Sequence, residues 1–243
     1  MNRNKKLLSI ICPSYNVEGC IRFLIESVIC QTSNNYEFII VDGGSTDNTV
    51  SILEEYNDRI KFVSEKDNGI YDAMNKGVNL SSGEWLYFIG ADDSLYTPDV
   101  IDRIEQHLYD DSIDVLLCKI QEPKVGILDS DLNYKMMFKN FVNHQGAIYR
   151  KRIFENYNYN LAYKISSDYD FNMYVWKKGY KFKKVDVIFA IHSFAGISGQ
   201  AHFISYKEEL QIRRKYVKSN FINIIGFFYT ISRYLFRKVR VNL

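Results

Sequence analysis

The residues in this chain that could do chemistry come in short polar clusters, each following an apolar run. Pro13-Ser14-Tyr15-Asn16 comes after residues 7–12, and Asp42-Gly43-Gly44-Ser45-Thr46-Asp47 closes residues 36–42. Glu65-Lys66-Asp67-Asn68-Gly69 comes after residues 60–63, and Gly90-Ala91-Asp92-Asp93 after residues 85–89. Taken singly, each cluster has the composition of a turn or a helix cap. Adjacent acids at Asp92 and Asp93 are the most informative, because two carboxylates on one loop repel unless a cation or bound donors compensate. Mg²⁺ and Mn²⁺ favour one or two protein carboxylates and complete their shells with water and phosphate oxygens. Further along, Ser166-Ser167-Asp168-Tyr169-Asp170 offers two acids able to take a proton from a hydroxyl. Acids also favour a first helical turn through the helix dipole, so both readings of that pair stand. The histidines (His107, His144, His192, His202) are scattered, without HExxH or Cys/His zinc spacing.

The elements between these clusters alternate. Residues 7–12, 36–42, 60–63 and 85–89 are short β-branched or aromatic runs, whereas residues 18–30, 47–56 and 71–80 carry apolar side chains at helical spacing. Strands apolar throughout suit a parallel sheet covered on both faces. The alternation predicts an α/β fold with a mostly parallel sheet flanked by helices, its ligand crevice beyond the carboxyl ends of the strands. That edge is where the polar clusters fall. Beyond Pro98, residues 99–109 and 168–178 read as helices, and residues 115–120, 147–149 and 181–192 as strands. Residues 126–139 fit neither pattern cleanly. Residues 205–218 and 220–239 read as two closing helices, giving a main domain over 1–204 and a helical tail over 205–243.

A length of 243 residues fits one large domain with a short appendage. With 47% hydrophobic and 15% aromatic residues, and only 3 prolines, the chain is neither disordered nor of low complexity. Cys12, Cys20, Cys30 and Cys118 form no CxxC pair and read as reduced thiols. Residues 1–6 are polar and the apolar run after them is too short for a cleavable signal, so a cytoplasmic location is expected. The net charge of +2 hides an asymmetry. Eight bases and no acid lie beyond residue 210, leaving −6 on the remainder. Residues 221–231 are apolar but too short to span a bilayer. Two readings of this tail stand: an amphipathic helix on an anionic membrane surface, or a helix packed on the domain. A nucleic-acid partner is not expected, since the body is acidic and carries no recognised binding motif.

The motifs PSYN, VDGGSTDNT, EKDNGIYDAMNKG, IGADD, SSDYDF and KKGYKF, in that order over residues 7–200, resemble the inverting family-2 glycosyltransferases. The bacterial members that build capsule, exopolysaccharide or lipopolysaccharide are the most similar. The resemblance implies the glycosyltransferase A fold and metal-dependent transfer of a hexosyl or N-acetylhexosaminyl group from a nucleotide-sugar, a UDP-sugar by preference. The acceptor would be a glycan or a polyprenyl-diphosphate-linked sugar. It also implies residue roles. Pro13, Ser14 and Tyr15 would line the base and ribose pocket, and Asp42 would accept a hydrogen bond from the base. Asp72 and Lys76 would face the donor, Asp92 would reach its hydroxyls, and Asp93 would ligate Mn²⁺ or Mg²⁺. Asp168 would be the catalytic base in preference to Asp170, while Asp170, His144 and His192 would contact acceptor or phosphate. Two departures stand out: the family's second strand usually ends in two aspartates where this chain has Asp42-Gly43, and Gly90 replaces the first acid of the DxD motif. A sugar nucleotidyltransferase and a catalytically inactive binding homologue are the alternatives.

Overall fold

The computed structural model describes residues 6–193 and 203–241. Four parallel strands form one half of the sheet: β1 (Leu8–Ser14), β2 (Tyr36–Asp42), β3 (Lys61–Ser64) and β4 (Trp85–Phe88). Helices α1 (Ile21–Ile29), α2 (Thr49–Glu55) and α3 (Ile70–Leu80) connect them, and all four strands end at one edge. The second half comprises β5 (Ser94–Leu95), α4 (Val100–Leu108), β6 (Val115–Glu122), β7 (Gly126–Leu128), β8 (Ala147–Arg150), α5 (Ser167–Lys178) and β9 (Phe182–Ile191). The sheet order is β3-β2-β1-β4-β8-β6-β9-β5, with β7 paired to β6.

Here the sheet departs from the mostly parallel expectation. β8 runs antiparallel to both β4 and β6, and β5 runs antiparallel to β9. The reversal has a consequence for the site. Because β8 starts where β4 ends, it brings the tight turn His144–Gly146 to the same edge as Asp92 and Asp93. β9 lies parallel to β6 and delivers His192 there too. The ambiguous residues 126–139 resolve into β7 and a 3-10 turn, Tyr134–Met137.

Side chains alternate between the two faces of the sheet, as the strand period requires. Leu8, Ile10, Cys12, Trp85 and Tyr87 pack against α1 and α4, while Ile11, Leu86 and Phe88 pack against α3 and α5. A Cβ at Gly77 would collide with the Ile11 side chain, so glycine lets α3 lie close on β1. At the opposite end of the sheet, Glu37 draws β1, β2 and the start of β4 together. It accepts from Ser9 Oγ at 2.5 Å, Ser82 Oγ at 2.9 Å and Lys61 Nζ at 2.7 Å.

Helices α6 (Phe203–Tyr216) and α7 (Asn220–Val241) complete the described chain. α6 packs against α5, and α7 packs on α6. Glu208 of α6 accepts the backbone N–H groups of Lys164, Ile165 and Ser166, holding the segment that leads into α5. Arg213 is buried, donating to Met137 O, Phe138 O and Thr230 Oγ1 of α7. The tail is therefore docked on the domain through one face. No helix among the described residues is long and apolar enough to cross a membrane.

Candidate active site

The carboxyl edge of β1, β2 and β4 gathers most of the expected residues, but burial sorts them differently from the sequence reading. Asp42 is 0% exposed. Its Oδ1 accepts from Ser14 Oγ and Ser45 Oγ, and its Oδ2 from Gly44 N, Ser45 N and Ser64 Oγ. An acceptor with five donors around it has no lone pair left for a nucleobase. Asp42 thus braces β1, β2 and β3. Pro13 and Ser14 are buried with it, whereas the Tyr15 ring is 60% exposed and free to cover a flat ligand.

Asp93 is the more deeply buried acid of its pair. Expected as the metal ligand, it is 1% exposed, and both oxygens are engaged. Oδ2 accepts from Gly90 N at 3.1 Å and Gln145 Nε2 at 3.0 Å, and Oδ1 from Ser193 N at 2.8 Å, with His192 Nδ1 at 3.0 Å. Burial works against protonation of His192, but the Asp93 carboxylate outweighs it and holds the imidazole pKa above its ordinary value. His192 therefore braces Asp93 through Nδ1. Gly90 is part of the same construction, because a Cβ there would lie 2.8 Å from Asp93 Oδ2 and 3.1 Å from Asp92 Oδ1. The missing first acid of the DxD motif is the space these two carboxylates occupy.

Asp92 is the available acid of the pair. It is partly exposed, and its buried Oδ2 has no hydrogen-bond partner. Burial first, then the Asp93 charge, pushes its pKa up. An orphaned, desolvated carboxylate oxygen fits a divalent cation that takes one protein ligand and fills its shell with water and phosphate oxygens. No cluster of three or more His, Cys, Asp or Glu residues capable of holding a metal occurs among the described residues.

Asp168 opens α5. Tyr71 Oη lies 3.2 Å from its Oδ1, and Asn140 Nδ2 donates to its Oδ2 at 2.8 Å. Burial pushes its pKa up to about 6, and the hydrogen bonds from its surroundings restrain the rise. A partly exposed carboxylate titrating near 6 is suited to accepting a proton at neutral pH. Asp170, two residues on, is 0% exposed and bound to Lys215 Nζ at 2.8 Å and Tyr157 Oη at 2.5 Å. It ties α5 to α6. His144 packs among aromatic rings. Its ring packs 5.6 Å from Phe88 and 6.1 Å from Tyr159, both nitrogens are buried without partners, and burial lowers its pKa to about 4.

Asp72 and Lys76 lie on α3 as expected, but they face their own loop. Asp72 Oδ2 accepts from Asn68 N at 2.9 Å, and Lys76 Nζ pairs with Glu65 at 2.8 Å. Reading the sequence missed Tyr71 and Asn140 as supports, since neither carries a charge to flag it. The glycine-containing stretch 194–202, which follows His192 and Ser193, lies outside the described residues.

Fold and site together define a glycosyl-transferring enzyme. The model of glycosyl transferase family 2 matches residues 9–202, and the chain belongs to that family. It is 36% identical over 178 residues to a PGL/p-HBAD biosynthesis glycosyltransferase of Mycobacterium bovis, covering 69% of this chain and 68% of the relative. Among solved structures, S. aureus TarS 1-349 in complex with UDP-GlcNAc superposes with a TM-score of 0.72 at 20% identity, covering 85% of this chain and 64% of that one. The mannosyltransferase PcManGT from Pyrobaculum calidifontis, in complex with GDP-Man and Mn²⁺, superposes with a TM-score of 0.70 at 14% identity, covering 95% and 74%. The chain spans only 39% of the longer TarS structure. These structural likenesses establish the glycosyltransferase A type of fold.

Proposed function

We propose that this glycosyltransferase moves a hexosyl or N-acetylhexosaminyl group from a UDP-sugar to a hydroxyl of a glycan or lipid-linked acceptor, with inversion at the anomeric carbon. The observation that carries the reading is Asp168, partly open, held by Tyr71 and Asn140, with its pKa raised to about 6. In a single displacement the acceptor oxygen attacks the anomeric carbon as Asp168 takes its proton. The bond from that carbon to the diphosphate oxygen breaks, and UDP leaves with the electron pair. Asp92 would hold Mg²⁺ or Mn²⁺, which supplies positive charge to the leaving diphosphate. Asp93, locked by Gln145 and His192, positions Asp92. Asp168→Asn should lower transfer by roughly 10²–10⁴-fold while UDP binding by calorimetry stays intact. Full activity in that variant, or a product of retained configuration, would overturn the reading.

We place the reaction at the cytoplasmic face of an anionic membrane, on the strength of α7. Gly226 and Thr230 turn inward against Arg213, whereas Phe221, Ile224, Phe228 and Leu235 are exposed at 73%, 57%, 66% and 54%. Their spacing puts them along one outward stripe. No acid follows Glu209, and Arg214 and Lys218 in the same helical tail are exposed. Two such cationic faces repel each other, while an anionic bilayer complements both the charge and the apolar stripe. Phe221→Ser/Phe228→Ser/Leu235→Ser should lose sedimentation with phosphatidylglycerol vesicles and keep the wild-type melting temperature. Unchanged vesicle binding would sink the placement, as would a wild-type dimer that this variant dissociates.

A further inference from the structure

Gly43 stands where the resemblance leads one to expect a second aspartate at the end of β2, and the structure shows what fills its place. A Cβ built on Gly43 would lie 2.6 Å from Asp67 Oδ2, 3.1 Å from the Asp67 carboxyl carbon and 3.3 Å from Oδ1. The volume of a side chain at position 43 is thus taken by the carboxylate of Asp67, delivered from the loop after β3. That loop is fixed to β2. Ser64 Oγ donates to Asp42 Oδ2 at 2.7 Å, and Glu65 N to Asp42 O at 3.0 Å. Asp67 Oδ1 accepts the Gly69 N–H at 2.9 Å, in a turn where Gly69 adopts a φ of 111°. Oδ2, the oxygen nearest Gly43, has no hydrogen-bond partner among the described residues, and Asp67 is partly exposed. Asp42 next door is buried with both oxygens saturated. Of these two carboxylates, Asp67 is the one with an acceptor to offer.

We infer that Asp67 accepts the ring N–H of the donor's nucleobase, replacing from the loop after β3 the acid that Gly43 lacks. This rests on the nucleotide-sugar reading above, in which the base is uracil and the group is N3–H. An ionised carboxylate is acceptor-only, so it bonds a base with a ring N–H (uracil or guanine) and repels the bare N3 lone pair of cytosine. Tyr15, exposed at the end of β1, the strand paired with β2, supplies the flat apolar surface such a base needs. Because the acid comes from the loop after β3, the Gly43 and Asp67 positions are coupled. Either can carry the carboxylate, and a side chain at position 43 forces that of Asp67 to move.

The test is calorimetric titration of UDP, GDP and CDP, with Mn²⁺ present, into the full chain and four variants. Asp67→Gly should weaken UDP binding by at least about tenfold, the loss of one charge-assisted hydrogen bond. Asp67→Asn should narrow the preference for UDP over CDP by a similar factor, because an amide can donate to cytosine N3. Gly43→Asp alone should bind poorly, since its carboxylate meets that of Asp67. The double variant Gly43→Asp/Asp67→Gly should restore UDP affinity to within about threefold of wild type. Wild-type UDP binding in Asp67→Gly would overturn the inference and leave the donor reading standing. Binding of GDP in place of UDP, with the same dependence on Asp67, would overturn uridine and keep the inference. If no nucleotide binds the wild-type chain, both fall.

Discussion

Asn140 Nδ2 donates to Asp168 Oδ2 at 2.8 Å, and a chain of buried groups behind it settles which way that amide points. The backbone N–H of Val142 donates to Asn140 Oδ1 at 3.2 Å, and Asn172 Nδ2 donates to the same oxygen at 3.3 Å. Tyr149 Oη in turn donates to Asn172 Oδ1 at 2.7 Å. With the oxygen of each amide occupied, Asn140 can offer only its NH₂ to Asp168, which favours the ionised carboxylate. Removing that donor should raise the pKa of the base. In Asn140→Ala the acid limb of the kcat profile, expected near pH 6 in wild type, should move up by about one pH unit. The loss of rate should be larger at pH 6 than at pH 8. Tyr149→Phe should move the limb the same way by less, and an unshifted limb in both variants would refute the relay.

Asp92 and Asp93 are neighbours with opposite circumstances, and their variants should separate binding from stability. Asp93 holds together β4, the His144–Gly146 turn and the end of β9 through Gly90, Gln145, Ser193 and His192. Asp93→Ala strands these buried donors, so thermal unfolding should fall by roughly 5–10 °C. Asp92→Ala removes a carboxylate that burial and Asp93 disfavour. Its melting temperature should match or exceed wild type, while the enhancement of UDP binding by Mn²⁺ disappears. Loss of stability in Asp92→Ala with retained metal response would reverse the two assignments.

The contrast shows where a linear reading stops. Residues 36–42 were legible as a strand because a run of apolar β-branched and aromatic residues admits little else, and the observed β2 coincides with them. Strand direction is not written locally: nothing in residues 147–149 says that β8 runs against β4. The two-residue β5 exists only because Ser94 and Leu95 meet Ile191 and Ala190. The same holds at the site. The type and edge position of the acids were readable, but their availability was not. Asp42 is closed by Ser14 and Ser64, and Asp93 by Gln145 and His192. The last two lie about 50 and 100 residues away. A carboxylate becomes a brace or a ligand according to partners that only the fold supplies.

Glu37 should make the sheet acid-sensitive. Burial alone would raise its pKa, but Lys61, Ser9 and Ser82 outweigh that and bring it down from 4.5 to about 2. A carboxyl depressed in the folded state contributes stability above its unfolded pKa, and that contribution is lost as pH falls through the folded value. Stability should therefore decline between about pH 4.5 and pH 2. Glu37→Gln, already lacking the charge, should be less stable at pH 7 and show a flatter dependence over that window in urea unfolding.

Asp170 offers the sharpest contrast with Asp168, two residues away on the same helix. Its carboxylate is fully buried against Lys215 Nζ, 2.8 Å away, with Tyr157 Oη completing the pair. Neutralising one member leaves the other charge poorly solvated, so Asp170→Asn should lose about 2–3 kcal/mol of stability. Lys215→Met should lose stability as well, because it leaves the Asp170 charge buried. The double variant should recover part of the loss, since two neutral side chains need no compensation. Activity normalised to folded protein should stay within a fewfold of wild type in all three. A collapse of kcat in Asp170→Asn with unchanged stability would instead make Asp170 the base, and Asp168 its support.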